Sequence, residues 1–353
     1  MSIEISVFSL YKKIIRNYYK HNNFILFRKP YDKKIFFYSH YAHYDCNSIR
    51  GNFFLIQNFN QDYAIKIYPK QIYYVNIQGF YKKQDFHSSF WEKNSSFLTY
   101  SYEYQNLIKK AIKNIKKGFF KKVVLSRYLK ISFRNFHFKN TFLKLICAYP
   151  NALISFWYDF RHGFWMGCSP ELLMKCYNNK LKVSSLAGTT WENNKWTKKE
   201  IEEHEIVTRY ILDLLKSYKG SIHIKNTKTI KIGYLKHLET PIHFLFYNQP
   251  DYYDLLNRLY PTPSICGFPK KESLDFIHKN EGYKRNFYTG YIGTVNHNNM
   301  ELYLNLRCIR IKKDKREMTL YAGSGITIDS NLHQEYIETE NKIKSILSQL
   351  VFK

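Results

Sequence analysis

Two pairs of acidic residues in this chain have a spacing that could do chemistry: Glu200 with Glu203, and Glu335 with Glu338. Each pair is three residues apart in a segment that reads as a helix, so its two carboxylates project from one face. The chain is short of acids, with 28 Asp and Glu against 55 Lys and Arg, which makes two such pairs conspicuous. If the helices converge, four carboxylates suit a hard divalent cation; Mg2+ takes one or two directly and keeps several waters. The alternative for either pair is an ordinary solvated helix face.

The elements that must position them follow from the apolar pattern. Thr197–Tyr218 reads as a helix with Ile206, Tyr210, Ile211 and Leu214 at core-facing spacing, and His333–Leu350 as a closing helix. Tyr100–Lys117 is a third, ended by Gly118. Shorter helices are expected at Tyr253–Leu259 and Lys271–His278. Strands are expected at Lys122–Arg127, Ala152–Phe160, Phe164–Gly167, Phe287–Val295, Glu301–Ile311 and Met318–Ala322. A hairpin is expected to turn at Asn178-Asn179. Residues 1–95 carry short aromatic runs that read as strands. Strands joined by hairpins and interrupted by helices predict an α+β fold with large antiparallel β-sheets packed together and flanked by helices. The division expected is 1–95 as a variable N-terminal part of the same fold and 96–353 as the catalytic domain.

Composition narrows the class. The 353 residues are 44% hydrophobic and 18% aromatic, enough for a sizeable core. No run approaches the roughly 20 uncharged apolar residues of a membrane span, and the start lacks a secretory pattern. The six cysteines (Cys46, Cys147, Cys168, Cys176, Cys266, Cys308) form no C-x-x-C pair, which argues for reduced, mostly buried thiols. The expectation is a soluble, cytoplasmic monomer. A net charge of +27 invites a nucleic-acid reading, but the lysines come as scattered doublets such as Lys12-Lys13, Lys33-Lys34, Lys82-Lys83, Lys198-Lys199 and Lys312-Lys313, where a binding footprint needs clustering. Abundant Lys, Asn, Ile, Tyr and Phe fit an AT-rich coding sequence.

A series of short motifs then gives a specific resemblance. Lys122-Val123-Val124-Leu125-Ser126-Arg127, Gly167-Cys168-Ser169-Pro170-Glu171 and Leu186-Ala187-Gly188-Thr189 come first. Glu203-His204, His237-Leu238, Pro261-Thr262-Pro263 with Gly267 and Pro269, and Tyr288 with Gly290 follow. Arg307-Cys308, Ala322-Gly323-Ser324-Gly325 and Glu335, Glu338 and Lys342 close the series. In this order, over about Phe119–Lys342, the chain resembles the chorismate-utilising enzymes, which include anthranilate, aminodeoxychorismate, isochorismate and salicylate synthases.

The resemblance implies roles. Lys122 stands where isochorismate and salicylate synthases have the base that activates water, and Ala187 where many aminodeoxychorismate synthases have a nucleophilic lysine. Lys122 acts as a base only when neutral, which requires burial or nearby positive charge; otherwise it is a solvated strand-end lysine, the part given to Lys121. Glu171 matches the general acid that protonates the departing C4 hydroxyl, given an apolar setting that raises its pKa. Glu203 and Glu338 would ligate Mg2+, with Glu200 and Glu335 holding its waters; Glu202, Glu205 and Glu340 read as solvated bystanders. Tyr288 and Arg307 would hold the enolpyruvyl carboxylate, and the N–H groups of Gly323 and Gly325 would meet the same anion, unless both glycines only permit a tight bend. Gly188 and Thr189 would wall the acid, Lys342 would reach the metal carboxylates, and His237 would lie by the ring or serve as a core histidine. Arg310 has no matching role. Tyr260 departs from a common His, and the first third shows no clear match.

The implied activity is isochorismate synthesis: Mg2+-dependent, reversible addition of water at C2 of chorismate with loss of the C4 hydroxyl, serving menaquinone or siderophore formation. No glutamine amidotransferase partner is expected, nor any nucleic acid or membrane. The nearest alternative is salicylate synthase, which adds pyruvate elimination. The remote one is a non-catalytic, basic nucleic-acid-binding protein.

Overall fold

The structure, a computed structural model, describes residues 2–40, 51–80, 102–191, 194–297 and 299–352. Cys46, Lys82-Lys83, Tyr100 and the boundary expected at 95 lie outside the described residues.

In chain order the elements are β1 (Ser2–Glu4), α1 (Val7–Tyr19), β2 (Phe24–Arg28), β3 (Lys34–Ser39), β4 (Phe53–Gln57), β5 (Ala64–Ile67) and β6 (Ile72–Asn76). There follow α2 (Tyr102–Lys116), β7 (Lys122–Ser132), α3 (Phe138–Ala148), β8 (Leu153–Asp159), β9 (Gly163–Ser169), β10 (Leu172–Tyr177), β11 (Lys180–Trp191) and α4 (Lys198–Leu215). Then come β12 (Gly220–Ile224), β13 (Lys228–Ile232), β14 (Leu235–Phe246), α5 (Tyr252–Leu259), β15 (Gly267–Phe268) and α6 (Lys270–Asn280). The last are β16 (Tyr291–Asn296), β17 (Asn299–Leu304), β18 (Cys308–Lys312), β19 (Glu317–Ile326) and α7 (Leu332–Leu347).

The strands form two sheets, β1-β6-β3-β2-β8-β9-β18-β19-β7-β15 and β12-β14-β11-β10-β17-β16-β4-β5, with β13 also paired to β14. Apart from β1 beside β6, the pairings are antiparallel. This is the α+β class with large antiparallel sheets that the sequence predicts. Residues from before position 77 supply strands to both sheets.

One buried cluster joins the two sheets, with Ile25, Phe27, Trp157 and Trp165 from the first and Phe54, Ile56, Ile292 and Tyr303 from the second. Each such side chain contributes about 1.5–3 kcal/mol when fully buried. A second cluster ties α1, α3 and α7 to the ten-stranded sheet, and a third ties α2, α4, α5 and α6 to the nine-stranded one. Trp157, Trp165, Tyr321 and Tyr288 stack in a column, with ring centroids 5.5, 5.8 and 5.2 Å apart in turn.

Two of the places where the chain leaves one sheet for the other carry motif residues: Pro170-Glu171 between β9 and β10, and Asn305–Arg307 between β17 and β18. The crossings are neighbours. Leu304 N donates to the Glu171 carbonyl at 3.0 Å, and Cys168 N to the Arg307 carbonyl at 3.1 Å.

Several elements differ from expectation. The single strand expected over Glu301–Ile311 breaks at 305–307, where Arg307 takes φ +47°; each half is apolar enough for its own sheet, so alternation gave no sign of the break. The strand expected from Phe287 starts at Tyr291, because 287–290 is a turn with Thr289 at φ +61°. Residues 7–19 form a helix. Ser6 accepts from Ser9 N at 3.1 Å, and Val7, Leu10, Ile14 and Tyr18 recur at helical spacing. Among the described cysteines Cys168, Cys176, Cys266 and Cys308 are buried, Cys147 is exposed, and none is paired. No helix among the described residues is long and apolar enough to cross a membrane.

Candidate active site

The two acidic pairs are brought to one place by α4 and α7. On α4, Lys199, Glu203, Val207, Ile211 and Leu215 recur every four residues and are buried, so one stripe runs from an apolar core into a charged end. On α7, Asn331 caps the helix by accepting from His333 N and Gln334 N, and Glu335, Glu338 and Lys342 lie toward α4. Lys199 Nζ joins the helices, 3.1 Å from Glu203 Oε2 and 2.9 Å from Glu335 Oε1. Lys342 Nζ sits 2.7 Å from Glu338 Oε1. Burial disfavours the Lys199 charge, but Glu203, Glu335 and Glu338 outweigh it and hold its pKa well above the usual value. Glu335 is pushed up to about 7 by burial and by its acidic neighbours, against the pull of Lys199.

Lys122 opens β7 and is wholly buried, whereas Lys121 beside it is exposed. Its Nζ lies 3.1 Å from Glu203 Oε1 and makes no well-directed hydrogen bond among the described residues, so the contact is an ion pair. Burial pushes the Lys122 pKa down; Glu203 opposes that shift, and Lys199 adds to it. Burial acts on Glu203 in the opposite sense but is outweighed by Lys122, Lys199 and Lys342, which hold its carboxyl low. A Cβ on Gly325 would fall on the Glu203 carboxylate and within 3.0 Å of Lys122 Cε. Gly325 therefore has a steric reason to be glycine that the sequence reading did not contain.

Glu171, at the β9–β10 crossing, is buried, and burial pushes its pKa up to about 8 in spite of a hydrogen bond from Ser264 Oγ (2.7 Å) and the charges of Lys122 and Lys342. It lines a cavity with Ala187, Gly188, Thr189, Glu203, His237, Ser264, Tyr288, Arg307, Gly323, Gly325 and Lys342. Gly188, at φ +72°, forms a bulge in β11, so that Ala187 pairs with Leu238 and Thr189 with His237. A larger cavity beside α1 is almost wholly apolar and holds none of the motif residues.

The far wall is polar. Arg307 Nη1 donates to the Ile232 carbonyl at 2.9 Å, and Nη2 to His237 Nε2 at 2.8 Å. Since Arg only donates, His237 Nε2 is the acceptor and Nδ1 carries the proton, bonded to the Gly188 carbonyl at 3.1 Å. Burial, then the charges of Arg307 and Lys342, keep this imidazole neutral. The turn carrying Tyr288 is clamped by Asn305: Thr289 N donates to the Asn305 carbonyl (3.0 Å), and Asn305 Nδ2 to the Phe287 carbonyl (2.8 Å). Arg285 ties the same region together, donating to the Ile265 and Val124 carbonyls at 2.8 and 2.7 Å.

Some residues stand elsewhere than expected. The Glu200 carboxylate accepts from Thr197 N (3.0 Å) and Thr197 Oγ1, which commits it to the α4 cap. Glu340 is no solvated bystander; it is buried and paired with Arg127. Lys199 is not part of a scattered surface doublet. Its only sequence signal was its place four residues before Glu203. Ser264 and Arg285 were missed as well, Ser264 although it directly follows Pro261-Thr262-Pro263.

The sequence profile described as chorismate binding enzyme matches residues 59–351, beginning well before the region the motifs mark. The chain is 28% identical over 257 residues to an isochorismate synthase of Bacillus subtilis, covering 69% of this chain and 54% of that protein. It is 24% identical over 259 residues to anthranilate synthase component 1 of Saccharolobus solfataricus, covering 69% and 61%. The chain thus spans between half and two thirds of the length of these relatives. The solved menaquinone-specific isochorismate synthase of Escherichia coli superposes with a TM-score of 0.75 at 18% identity, covering 92% of this chain and 88% of that one, and so shares the fold. The relatives' names include different reactions, so kinship alone does not select the nucleophile. With its profile matched over most of its length, the chain belongs to the chorismate-binding enzyme family.

Proposed function

We propose that this chain is an isochorismate synthase. The observation that carries the reading is an acid and a base beside one cavity: Glu171 in its lining, which keeps its proton near neutral pH, and, against Glu203 of the same lining, a wholly buried Lys122 whose ammonium burial disfavours. Neutral Lys122 takes a proton from water as its oxygen bonds to C2 of chorismate. The ring double bond shifts, the C4–O bond breaks, and Glu171 gives its proton to the departing oxygen, so a water leaves and the product is an isomer of the substrate. Arg307 and Tyr288 hold the enolpyruvyl carboxylate. Ala187 leaves no amine for a covalent adduct, and water as nucleophile needs no ammonia-delivering partner.

Among the described residues no group of three His, Cys, Asp or Glu forms a ready metal cage. Mg2+ does not require one, since it binds through one or two carboxylates and keeps waters. The residues fit it: Glu335 Oε2 is buried without a hydrogen-bond partner among the described residues, and the donors are all oxygen. Glu203 and Glu338 would hold the ion, with Glu335 behind them; Glu200 would first have to release the α4 cap. When bound, Mg2+ would supply a charge that grips the substrate's ring carboxylate and offsets Glu203, the group that opposes neutral Lys122.

The test is to mix purified protein and chorismate with and without Mg2+ and resolve the products chromatographically. Isochorismate approaching equilibrium with chorismate only when Mg2+ is present is the expected result. Salicylate with pyruvate, or an aminated product dependent on ammonium, would overturn the assignment.

A further inference from the structure

Ser264 lies between α5 and β15, in a segment that takes no part in the proposed proton transfers. Its Oγ is 2.7 Å from Glu171 Oε1, and Thr262 Oγ1 is 2.7 Å from the same hydroxyl. Thr262 is buried. Three oxygens thus form a chain that ends on the acid.

Counting protons fixes the chain's direction. Each hydroxyl has one hydrogen to give. Among the described residues, Ser264 is the hydrogen-bond partner found for Thr262 Oγ1. If Glu171 donated to Ser264, either Ser264 would donate to Thr262 and leave the buried Thr262 proton without an acceptor, or Thr262 would donate to Ser264 and leave the Ser264 proton without an acceptor among the described residues; either is costly. The satisfied arrangement runs the other way: Thr262 donates to Ser264, and Ser264 donates to Glu171 Oε1. The acid's own proton is then on Oε2.

We infer that Ser264, backed by Thr262, is a positioning residue for the acid: it fixes which Glu171 oxygen carries the proton and is already aimed at the carboxylate left after delivery. The inference rests on the proposed function for the proton's destination. In that step the Oε2–H bond breaks, a new O–H bond forms on the departing C4 oxygen, and the electron pair stays on Glu171. Lys122 from β7 and Lys342 from α7 also favour the anion, and Glu239 from β14 opposes it, all as charges at a distance. Glu203, His237 and Arg307 line the same cavity. Ser264 supplies the hydrogen bond found on this carboxyl among the described residues.

The test reads Glu171 directly, by infrared pH titration of its carboxyl band in substrate-free protein, the band being assigned by its loss in Glu171→Gln. Removing a hydrogen bond to a charged group should raise the Glu171 pKa by about one unit in Ser264→Ala, while Ser264→Thr, which keeps the hydroxyl, should leave it near the wild-type value. The alkaline limb of chorismate turnover should move up with it, because the acid must be protonated to act. An unmoved band in Ser264→Ala, or an equal shift in Ser264→Thr, overturns the inference. If the band moves as expected but the wild type does not convert chorismate, the proposed function fails and the positioning of Glu171 stands. If the wild type is active and the band is unmoved, the positioning fails alone.

Discussion

Replacing Glu171 by Gln should make the protein more stable as it makes it inactive, by an amount that depends on pH. Burial raises the Glu171 pKa from an ordinary 4.5 to about 8. Below pH 4.5 the carboxyl is protonated in both folded and unfolded chains and contributes no difference. Between 4.5 and 8 the unfolded chain ionises while the folded one must keep its proton, so stability is lost as pH rises, by about 1.4 kcal/mol per unit. The loss reaches about 3 kcal/mol at pH 7 and levels off near 5 above pH 8. Gln fills the same space, cannot ionise, and still offers Ser264 Oγ an acceptor in place of Oε1. Its extra N–H2 costs about 1 kcal/mol if unpartnered, but that cost does not vary with pH. Urea denaturation of both proteins at pH 5, 6, 7 and 8, without substrate, should therefore give a stability difference that grows in favour of the variant. A difference that stays constant over this range would show that Glu171 is not held neutral, and the argument for it as the acid would fall with it.

Lys122→Met should lower turnover by about 10²–10⁴-fold, the usual worth of a general base, without unfolding the protein; a variant keeping a tenth of wild-type activity in a chorismate-consumption assay refutes the role. Gly325→Ala should abolish the response to Mg2+ and destabilise by about 3 kcal/mol, as when a buried ion pair is broken, because the new Cβ displaces Glu203 from Lys122; denaturation and metal titration check both. Arg307→Lys, which loses the two-ended grip on Ile232 and His237, should raise KM for chorismate about tenfold and change kcat less, in steady-state kinetics. Wild-type activity should fall above about pH 8 as Glu171 loses its proton; a flat profile across pH 7–10 contradicts its role as the acid.

Much of this site could be read in the sequence because its residues sit in short motifs on regular elements. Glu203 and Glu338 show themselves by helical spacing, and Gly188-Thr189 by the Leu186-Ala187-Gly188-Thr189 motif of the resemblance; the bulge that needs the glycine came only with the structure. What could not be read depends on side chains meeting across the fold. Lys199 looked like any lysine in a basic chain, since nothing local reveals that it faces Glu335 on a helix more than a hundred residues away. Glu340 looked solvated because Arg127, its partner, lies on β7. The break at Asn305–Arg307 was hidden because β17 and β18 are both apolar, and alternation does not say which sheet a strand joins. Helix α1 was obscured by tyrosines and phenylalanines, which suit strands and amphipathic helices alike.

The β9–β10 and β17–β18 crossings bear on how this chain could be altered. Glu171 and Arg307 stand on neighbouring crossover segments, each held at both ends by strands and tied to the other by backbone hydrogen bonds. Neither residue rides on a surface loop that could be exchanged, lengthened or grafted without disturbing a sheet. A designer who wants a different nucleophile or product has the lining to work with instead: Ala187, Thr189, Ser264 and Leu306 can change size and polarity while the backbone stays fixed. The architecture favours divergence by single substitutions in the cavity wall and resists it by loop replacement.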